Sequence, residues 1–290
     1  MTLVVTGATG NLGRLVVENL LDRGVPAADI IATGRSLDRR GALGDRGVQL
    51  RAADYADPAT LRSAFAGAHR VLLVSGSEPG ARVEQHRNAV EAAREAGVEL
   101  LAYTSIVNAD TSTMRLAEDH QATEALLRAS GVPFVLLRNG WYTENYTDHL
   151  AAVLEHGALF GSAGEGRVNT APRADYAAAA AAVLTTDGHA GKAYELGGDE
   201  AFTLAELAAE ISAGSGTPVG YTDLPEADYV RALTGNGVPQ VFAEILADAD
   251  QGLRRGELAT TSGDLARLIG RPTVPLKQAL NSALNLARHA

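Results

Sequence analysis

The stretch that decides the fold is TLVVTGATGNLGRLVVENLL, which spans residues 2–21. Its apolar beginning predicts a buried strand, and the periodic apolar residues after Gly10 predict an amphipathic helix. Between the two lies the glycine turn GATGNLG, in which backbone N–H groups and a helix N-terminus can bind a pyrophosphate. The expected site comprises Thr6, Gly7, Ala8, Thr9, Gly10, Asn11, Leu12 and Gly13. An ordinary strand-to-helix turn is the alternative interpretation.

The first half of the chain continues this alternation of strands and helices. Apolar runs at six places predict strands: 3–6, 30–33, 48–52, 71–74, 100–104 and 134–137. Amphipathic stretches at 12–23, 83–96 and 116–130 are each followed by a glycine in the position that ends a helix. The pattern predicts an α/β fold, a doubly wound parallel sheet of the Rossmann type that binds ligands at the carboxyl ends of its strands.

After about residue 140 the rhythm changes, and glycine-rich turns from 157 to 166 precede an alanine-rich helix at 175–184. A strand at 193–196, a helix capped by Thr203, helices within 225–256 and a last helix from Leu276 towards Ala290 complete the expected elements. We expect a dinucleotide-binding core over residues 1–150 and a smaller, substrate-covering part over 151–290, interleaved with the core around 175–200.

The composition narrows the class of protein. Of the 290 residues 46% are hydrophobic, enough for a large core, and the formal net charge of −10 argues against a nucleic-acid partner. The basic residues are scattered, apart from a cluster of Arg35, Arg39 and Arg40. No apolar run is long enough to cross a membrane, and the chain starts without a charged signal region, so we expect a cytoplasmic protein.

The side chains that are missing restrict the chemistry. Without cysteine, disulfides, thiolate nucleophiles and Cys-ligated metal clusters are excluded. The histidines form neither an HExxH motif nor a carboxylate triad, and no G-x-S-x-G elbow occurs, so neither a catalytic metal nor a serine hydrolase is expected. Redox chemistry would then depend on a bound cofactor. The residues leave open whether the chain forms a homodimer.

The end of the second strand indicates which dinucleotide is bound. In NAD-specific folds an acidic residue there binds the ribose 2′-hydroxyl, whereas an arginine accommodates a 2′-phosphate. Here the strand ends Thr33-Gly34-Arg35. A planar guanidinium can bind phosphate oxygens through two hydrogen bonds, so Arg35 predicts that NADP(H) is preferred over NAD(H). A solvated loop arginine is the alternative.

Polar residues also follow the third, fourth and fifth strands, whose carboxyl ends should open onto the same crevice. Asp54 follows the third strand, where an aspartate can meet the adenine edge or begin a helix-approach turn. By position the other candidates for cofactor binding are Ser75, Gly76, Ser77, Thr104 and Ser105. Each of these hydroxyls could instead cap a helix or stabilise a turn.

Five segments together resemble a known family: GATGNLG, ATGR, YTSI, AEDHQATEALL and LLRNGWYTENY. They are similar to the NmrA-like atypical short-chain dehydrogenases, specifically the type-2 NAD(P)H:quinone oxidoreductase branch, and the resemblance extends from residue 2 to about 198. It implies that Arg173, in APRADY, reaches the cofactor. It also implies a loop beside the nicotinamide that consists of Asn139, Gly140, Trp141, Tyr142, Thr143 and Glu144.

The sequence departs from ordinary short-chain dehydrogenases in one respect that matters for mechanism. Those enzymes carry Tyr-x-x-x-Lys on the helix after the fifth strand, and the tyrosine donates the proton. With Glu124 as the fixed point of alignment, Leu116 and His120 occupy the two positions. Without the pair, an alcohol dehydrogenase or a sugar-nucleotide epimerase is disfavoured.

Quinone reduction accounts for the missing pair, because hydride delivery yields a phenolate with a pKa of about 10 rather than a far more basic alkoxide. We expect direct hydride transfer from NADPH, without flavin, to a quinone in a flat apolar slot lined by Trp141, Tyr142 and Tyr146. His120 is the candidate proton source, and with Tyr142 and Tyr146 it forms the expected catalytic set. Two alternatives stay open: a catalytically silent NADP(H) sensor that binds a protein partner, and an isoflavone-reductase-like small-molecule reductase.

Overall fold

The computed structural model describes residues 1–36, 41–78 and 80–289. The strands are β1 (Leu3–Val5), β2 (Ile30–Gly34), β3 (Gln49–Ala52), β4 (Arg70–Leu73), β5 (Leu100–Ile106), β6 (Phe134–Asn139), β7 (Ala158–Gly161), β8 (Ala193–Leu196) and β9 (Gly220–Asp223). The helices of the first half are α1 (Asn11–Asp22), α2 (Gly41–Gly44), α3 (Pro58–Phe65), α4 (Arg82–Ala96), α5 (Arg115–Ala129) and α6 (Glu144–Thr147), with a 3-10 turn at Ala27–Asp29. Those of the second half are α7 (Leu150–His156), α8 (Arg173–Thr185), α9 (Leu204–Ser215), α10 (Glu226–Gly235), α11 (Gln240–Arg254), α12 (Asp264–Ile269) and α13 (Leu276–His289).

Seven of these strands form one parallel sheet in the order β3-β2-β1-β4-β5-β6-β8. Val4 of β1 lies between Ile31 of β2 and Val71 of β4, and all three side chains are fully buried. The strand order reverses between β1 and β4, which is the topological switch at which such sheets bind ligands. The predicted doubly wound fold is therefore confirmed, and the glycine turn lies at the switch.

Helices cover both faces of the sheet, as the continuous apolar strands require. Leu3 and Val5 point into a core built with α1 and α8, whereas Val4 points into a core built with α3, α4 and α5. The alanine run of α8 is almost entirely buried, and its small side chains let α8 pack closely against α1. The helix-ending glycines at 24, 97 and 131 all adopt the left-handed conformation, with φ of 82°, 65° and 74°.

The second half adds a third apolar core and a second sheet. In that sheet β7 pairs in parallel with β9, with Ala158 opposite Gly220, so the prediction of glycine-rich turns over 157–166 was wrong at residues 158–161. The strand was missed because it is four residues long, lies among glycines, and pairs with a segment about 60 residues later in the chain. Helix α3 was also not predicted, although Asp57 caps it by accepting from the Ala59 N–H at 2.9 Å.

The two halves of the chain are interleaved at one point. Strand β8 pairs with β6 in the main sheet, and α8 packs on α1, so residues 173–196 join the layers of the first half. The boundary near residue 150 stays a prediction. Among the described helices, none has the length and apolar character that a membrane span needs.

Candidate functional site

A cleft of about 230 Å³ opens at the carboxyl ends of the first four strands. Its walls come from the glycine turn, the end of β2, the segment after β3 and the segment after β4. The lining residues are Gly7, Thr9, Gly10, Thr33, Gly34, Arg35, Ala53, Asp54, Tyr55, Val74, Ser75, Gly76, Ser77, Glu78 and Gln85. The structure thus brings together eight of the predicted cofactor residues, namely Gly7, Thr9, Gly10, Arg35, Asp54, Ser75, Gly76 and Ser77.

The glycine turn has the tight geometry that its sequence predicts. Gly7 has φ +59°, a conformation that favours glycine, and its carbonyl accepts from the Gly10 N–H at 2.9 Å. A Cβ on Gly13 would lie against the Gly7 carbonyl oxygen and only 2.9 Å from the Ala8 nitrogen, so α1 packs on the turn without room for a side chain. Because no described side chain caps α1, its first-turn N–H groups are available to an anion.

The rest of the cleft floor also fits a dinucleotide. Thr33 lines the cleft, and its buried hydroxyl has no hydrogen-bond partner among the described residues. A Cβ on Gly34 would lie 3.0 Å from the Thr9 hydroxyl oxygen, so the end of β2 approaches the turn closely. An unpaired hydroxyl beside a side-chain-free turn and an open helix N-terminus suits a ribose-pyrophosphate ligand.

Arg35 lies where the sequence predicts, at the end of β2 on the rim of the cleft. Its side chain is 67% exposed, and Nη1 lies 2.5 Å from Oε1 of Glu78. The other oxygen of Glu78 accepts from Nε2 of Gln85 at 2.7 Å. Sequence reasoning missed Glu78 and Gln85, although Glu78 lies in the segment after β4 where a strand-end rule could have found it. Arg39 and Arg40 lie outside the described residues.

The segment after β3 contributes Asp54 and Tyr55. Asp54 lines the cleft while Oδ1 accepts from the Ala56 N–H at 2.9 Å, so its carboxylate also stabilises a turn. The Tyr55 hydroxyl donates to the Val74 carbonyl at 2.7 Å and lies 2.5 Å from the Thr6 hydroxyl. Burial raises the pKa of Tyr55, so it stays protonated. The hydroxyl of Thr6, a predicted cofactor residue, also donates to the Leu72 carbonyl and accepts from the Val74 N–H, both at 2.9 Å, and so ties β1 to β4.

The segment after β4, residues 75–77, is held by α4 and α5. The Gly76 N–H donates to Nε2 of His86 at 2.9 Å, and the Gly76 carbonyl accepts from Nε of Arg82 at 2.7 Å. Burial, and then the charge of Arg82, lower the pKa of His86 to about 3. The neutral ring therefore carries its proton on Nδ1, which lies 2.8 Å from the Thr123 hydroxyl. Two side chains of one helix thus fix both polar groups of the Gly76 backbone.

The hydroxyls at the end of β5 have different roles. Thr104 accepts from the Ser75 N–H at 2.9 Å and so positions the segment after β4. Ser105 donates to Oε1 of Glu124 at 2.6 Å, within the protein interior. Glu124 also pairs with Arg138, whose Nη2 lies 2.6 Å from Oε2. Neither hydroxyl lines the cleft, and a direct contact of Ser105 with the cofactor stays a prediction.

The aromatic loop after β6 meets the start of α8. Nδ2 of Asn139 donates to the Tyr142 hydroxyl at 3.2 Å, and the Arg173 guanidinium lies 4.9 Å from the centroid of the Tyr142 ring. The Glu144 carboxylate accepts from the Arg173 backbone N–H at 2.9 Å and so caps α8. The structure brings these four predicted residues together. Oδ1 of Asn139 is buried and, within the described chain, has no partner.

Other residues of this loop serve packing. A Cβ on Gly140 would lie 2.9 Å from the Leu196 carbonyl oxygen, which explains the glycine without a ligand. Trp141 packs against the third core, and the buried Thr143 hydroxyl donates to that of Thr170 at 3.0 Å. Their predicted contacts with the nicotinamide stay predictions.

Of the candidate catalytic side chains, His120 is buried, whereas Tyr142 and Tyr146 are partly buried. Nδ1 of His120 lies 2.7 Å from the Tyr103 hydroxyl, and burial, followed by the charge of Arg82, lowers the pKa of His120 to about 3. His120 is 8% exposed and does not line the cleft. The Tyr146 hydroxyl is buried without a hydrogen-bond partner in the described ranges, and burial raises its pKa well above the usual range. The three catalytic roles, including that of Tyr142, stay predictions.

Residues 1–36, 41–78 and 80–289 contain no group of three or more His, Asp or Glu side chains that could hold a metal ion.

Several other cleft residues were not predicted from the sequence. They lie at or just after the ends of β2, β3 and β4: Thr33, Gly34, Ala53, Tyr55 and Val74.

Known proteins with similar sequences and structures indicate the family to which the chain belongs. Residues 7–187 match the model of the NAD(P)H-binding family. Quinone oxidoreductase 2 of Escherichia coli K12 is 48% identical over 284 residues, which are 98% of this chain and 99% of the relative. The crystal structure of that NADPH-dependent enzyme from Escherichia coli with NADPH matches with a TM-score of 0.94 over 97% of this chain and 99% of that chain. Triphenylmethane reductase of Citrobacter sp. complexed with NADP(H) is 41% identical, with a TM-score of 0.93 over 97% of this chain and 100% of that chain.

Proposed function

Because the chain belongs to the NmrA-like, NAD(P)H-binding family, we propose that it is an NADPH-dependent quinone oxidoreductase that transfers hydride directly, without flavin. The observation that carries the proposal is the similarity to an NADPH-dependent quinone oxidoreductase over nearly the whole length of both chains. The cleft at the topological switch supports it, because its glycine turn, open helix N-terminus and Arg35 suit a phosphorylated dinucleotide.

Cofactor binding is divided among three parts of the cleft. The glycine turn and the first turn of α1 would hold the pyrophosphate, and the unpaired Thr33 hydroxyl would accept or donate one hydrogen bond to the ligand. The exposed guanidinium of Arg35 would bind the ribose 2′-phosphate, and this is the basis for a preference for NADPH over NADH. Asp54, which lines the same cleft, would meet the edge of the adenine.

Bound NADPH supplies a hydride, and the reduced quinone takes up a proton to become a hydroquinone. The loop after β6 would bind the acceptor ring beside the nicotinamide. Two buried polar atoms in this region, Oδ1 of Asn139 and the Tyr146 hydroxyl, have no partner in the described part of the chain. The Tyr146 hydroxyl can donate to a carbonyl group of a quinone, whereas Oδ1 of Asn139 can accept from an N–H or O–H group of a ligand. Tyr142, held between Asn139 and Arg173, would orient the ring.

We assign His120 a supporting role in this chemistry. An imidazole with a pKa of about 3 is neutral at pH 7, so it has no excess proton to deliver. Its ring orients the Tyr103 hydroxyl inside the protein. Because a phenolate with a pKa near 10 is a tolerable product in water, the proton can come from solvent.

Steady-state oxidation of NADPH with a panel of quinones and simple aliphatic ketones tests this function. We expect turnover with quinones and slow or no turnover with the ketones, because an alkoxide product needs a proton donor that the chain lacks at the usual position. Rapid ketone reduction would contradict the proposal. Tight NADPH binding without turnover of any quinone would instead favour the NADP(H) sensor.

A further inference from the structure

An ion pair spans the rim of the cofactor cleft. Arg35 follows β2 and Glu78 follows β4, two strands that β1 separates in the sheet. The guanidinium Nη1 and the carboxylate Oε1 lie 2.5 Å apart, and both residues line the cleft. The guanidinium expected to bind the 2′-phosphate is therefore already engaged by a carboxylate of the same chain.

The position of Glu78 is fixed from behind. Nε2 of Gln85 donates to its second oxygen at 2.7 Å, and Gln85 is a buried side chain of α4 with 8% exposure. The hydrogen bond from Gln85, followed by the Arg35 contacts, holds the pKa of Glu78 below its usual range, so the carboxylate is charged at neutral pH. An anchored negative charge thus faces the one cation that lines the cleft within the described residues.

We propose that Glu78 is a specificity-determining residue of the cofactor site, because it competes with the 2′-phosphate for the Arg35 guanidinium. The inference rests on the proposed binding of NADPH in this cleft. A dianionic phosphate must displace the carboxylate or bind beside it, and either arrangement weakens the binding of NADPH. NADH lacks the 2′-phosphate, so its binding is not weakened. Glu78 therefore narrows the preference for NADPH over NADH by weakening the binding of NADPH.

Binding of two adenosine nucleotides to the full chain isolates this effect from catalysis. Adenosine 2′,5′-bisphosphate carries the 2′-phosphate, adenosine 5′-monophosphate lacks it, and calorimetry gives both dissociation constants. In Glu78→Gln we expect about three- to ten-fold tighter binding of the bisphosphate, the size of one exposed charge interaction, and little change for the monophosphate. In an Arg35→Ala background the same substitution should change bisphosphate binding less than two-fold.

Glu84→Gln is the matched control, because it removes the same charge from the outer face of α4, where Glu84 contacts Arg87 at 3.1 Å. It should leave both affinities unchanged. An equal gain in bisphosphate affinity from Glu78→Gln with and without Arg35 would contradict competition for the guanidinium. Weaker binding of both nucleotides to Glu78→Gln would show that Glu78 holds the adenosine instead. If the bisphosphate and NADPH fail to bind the native protein, the proposed function fails first. If both bind and Glu78→Gln changes nothing, only this inference fails.

Discussion

His120→Gln tests whether the histidine of α5 is a buried neutral side chain, as its contacts indicate. His120 lies 2.7 Å from the Tyr103 hydroxyl, and burial and the charge of Arg82 lower its pKa from 6.5 to about 3. The unfolded chain binds a proton at that histidine below pH 6.5, whereas the folded chain does not until about pH 3. The contribution of the neutral His120 ring to the free energy of unfolding is therefore fully present above pH 6.5, and it is lost as the pH falls towards 3.

The size of the effect follows from the width of that window. Each pH unit corresponds to about 1.4 kcal/mol, so one histidine loses roughly 5 kcal/mol across the whole window and about 2 kcal/mol between pH 7 and pH 5. His86 has the same lowered pKa of about 3, so the native protein should lose about 4 kcal/mol over that interval from the two histidines. Glutamine keeps a hydrogen-bonding group at position 120 but cannot be protonated.

Urea unfolding at pH 7 and pH 5, followed by circular dichroism, measures the difference directly. The free energy of unfolding of His120→Gln should fall by about 2 kcal/mol less than that of the native protein. The matched control is His156→Gln, which alters an exposed histidine at the end of α7 and should follow the native pH dependence. Equal losses in His120→Gln and the native protein would refute a neutral buried His120.

The same variant separates a structural role from a catalytic one. If His120 acts only through Tyr103, quinone turnover by folded His120→Gln at pH 7 should stay within about ten-fold of the native rate, below the 100-fold or more expected of a lost general acid. NADPH binding is measured alongside to show that the cleft is intact. Loss of turnover beyond 100-fold with normal NADPH binding would mean that His120 transfers the proton.

Three further predictions concern the cleft and its glycine turn. From one charge-assisted contact we expect the native protein to bind NADPH about ten- to 100-fold more tightly than NADH, and Arg35→Asp should abolish or reverse this preference. Equal affinities of the native protein for NADPH and NADH in titrations would show that Arg35 does not bind the 2′-phosphate. Gly10→Val should fold and yet bind NADPH poorly, because its side chain enters the space of the pyrophosphate. Gly13→Ala should lower the free energy of unfolding by roughly 1–3 kcal/mol, because its Cβ would lie 2.9 Å from the Ala8 nitrogen. Normal NADPH binding by a folded Gly10→Val protein would place the cofactor elsewhere.

The local patterns of the sequence account for most of the main sheet. The glycine turn, the six apolar runs and the helix-ending glycines each depend on residues a few positions apart, and all are confirmed. The pairing of β7 with β9 could not be predicted in this way. Each strand has only four residues, and their contact depends on how the helices between them pack.

Strand ends predict which residues lie near the cleft but not which way each side chain points. Thr104 and Ser105 are neighbours on β5, and successive side chains of a strand point to opposite faces. One hydroxyl therefore meets the Ser75 N–H and the other meets Glu124 on α5. The pairing of Arg35 with Glu78 was likewise not predictable, because it joins loops after two strands whose adjacency depends on the sheet order.

The most direct test of the central claim is the initial rate of NADPH oxidation with both NADPH and a quinone varied. Direct hydride transfer requires both molecules in the cleft at once, so double-reciprocal plots should intersect and the purified protein should need no added flavin. Parallel lines, which indicate that a carrier is reduced before the quinone binds, would contradict direct transfer. Absence of NADPH oxidation with every quinone would contradict the function itself.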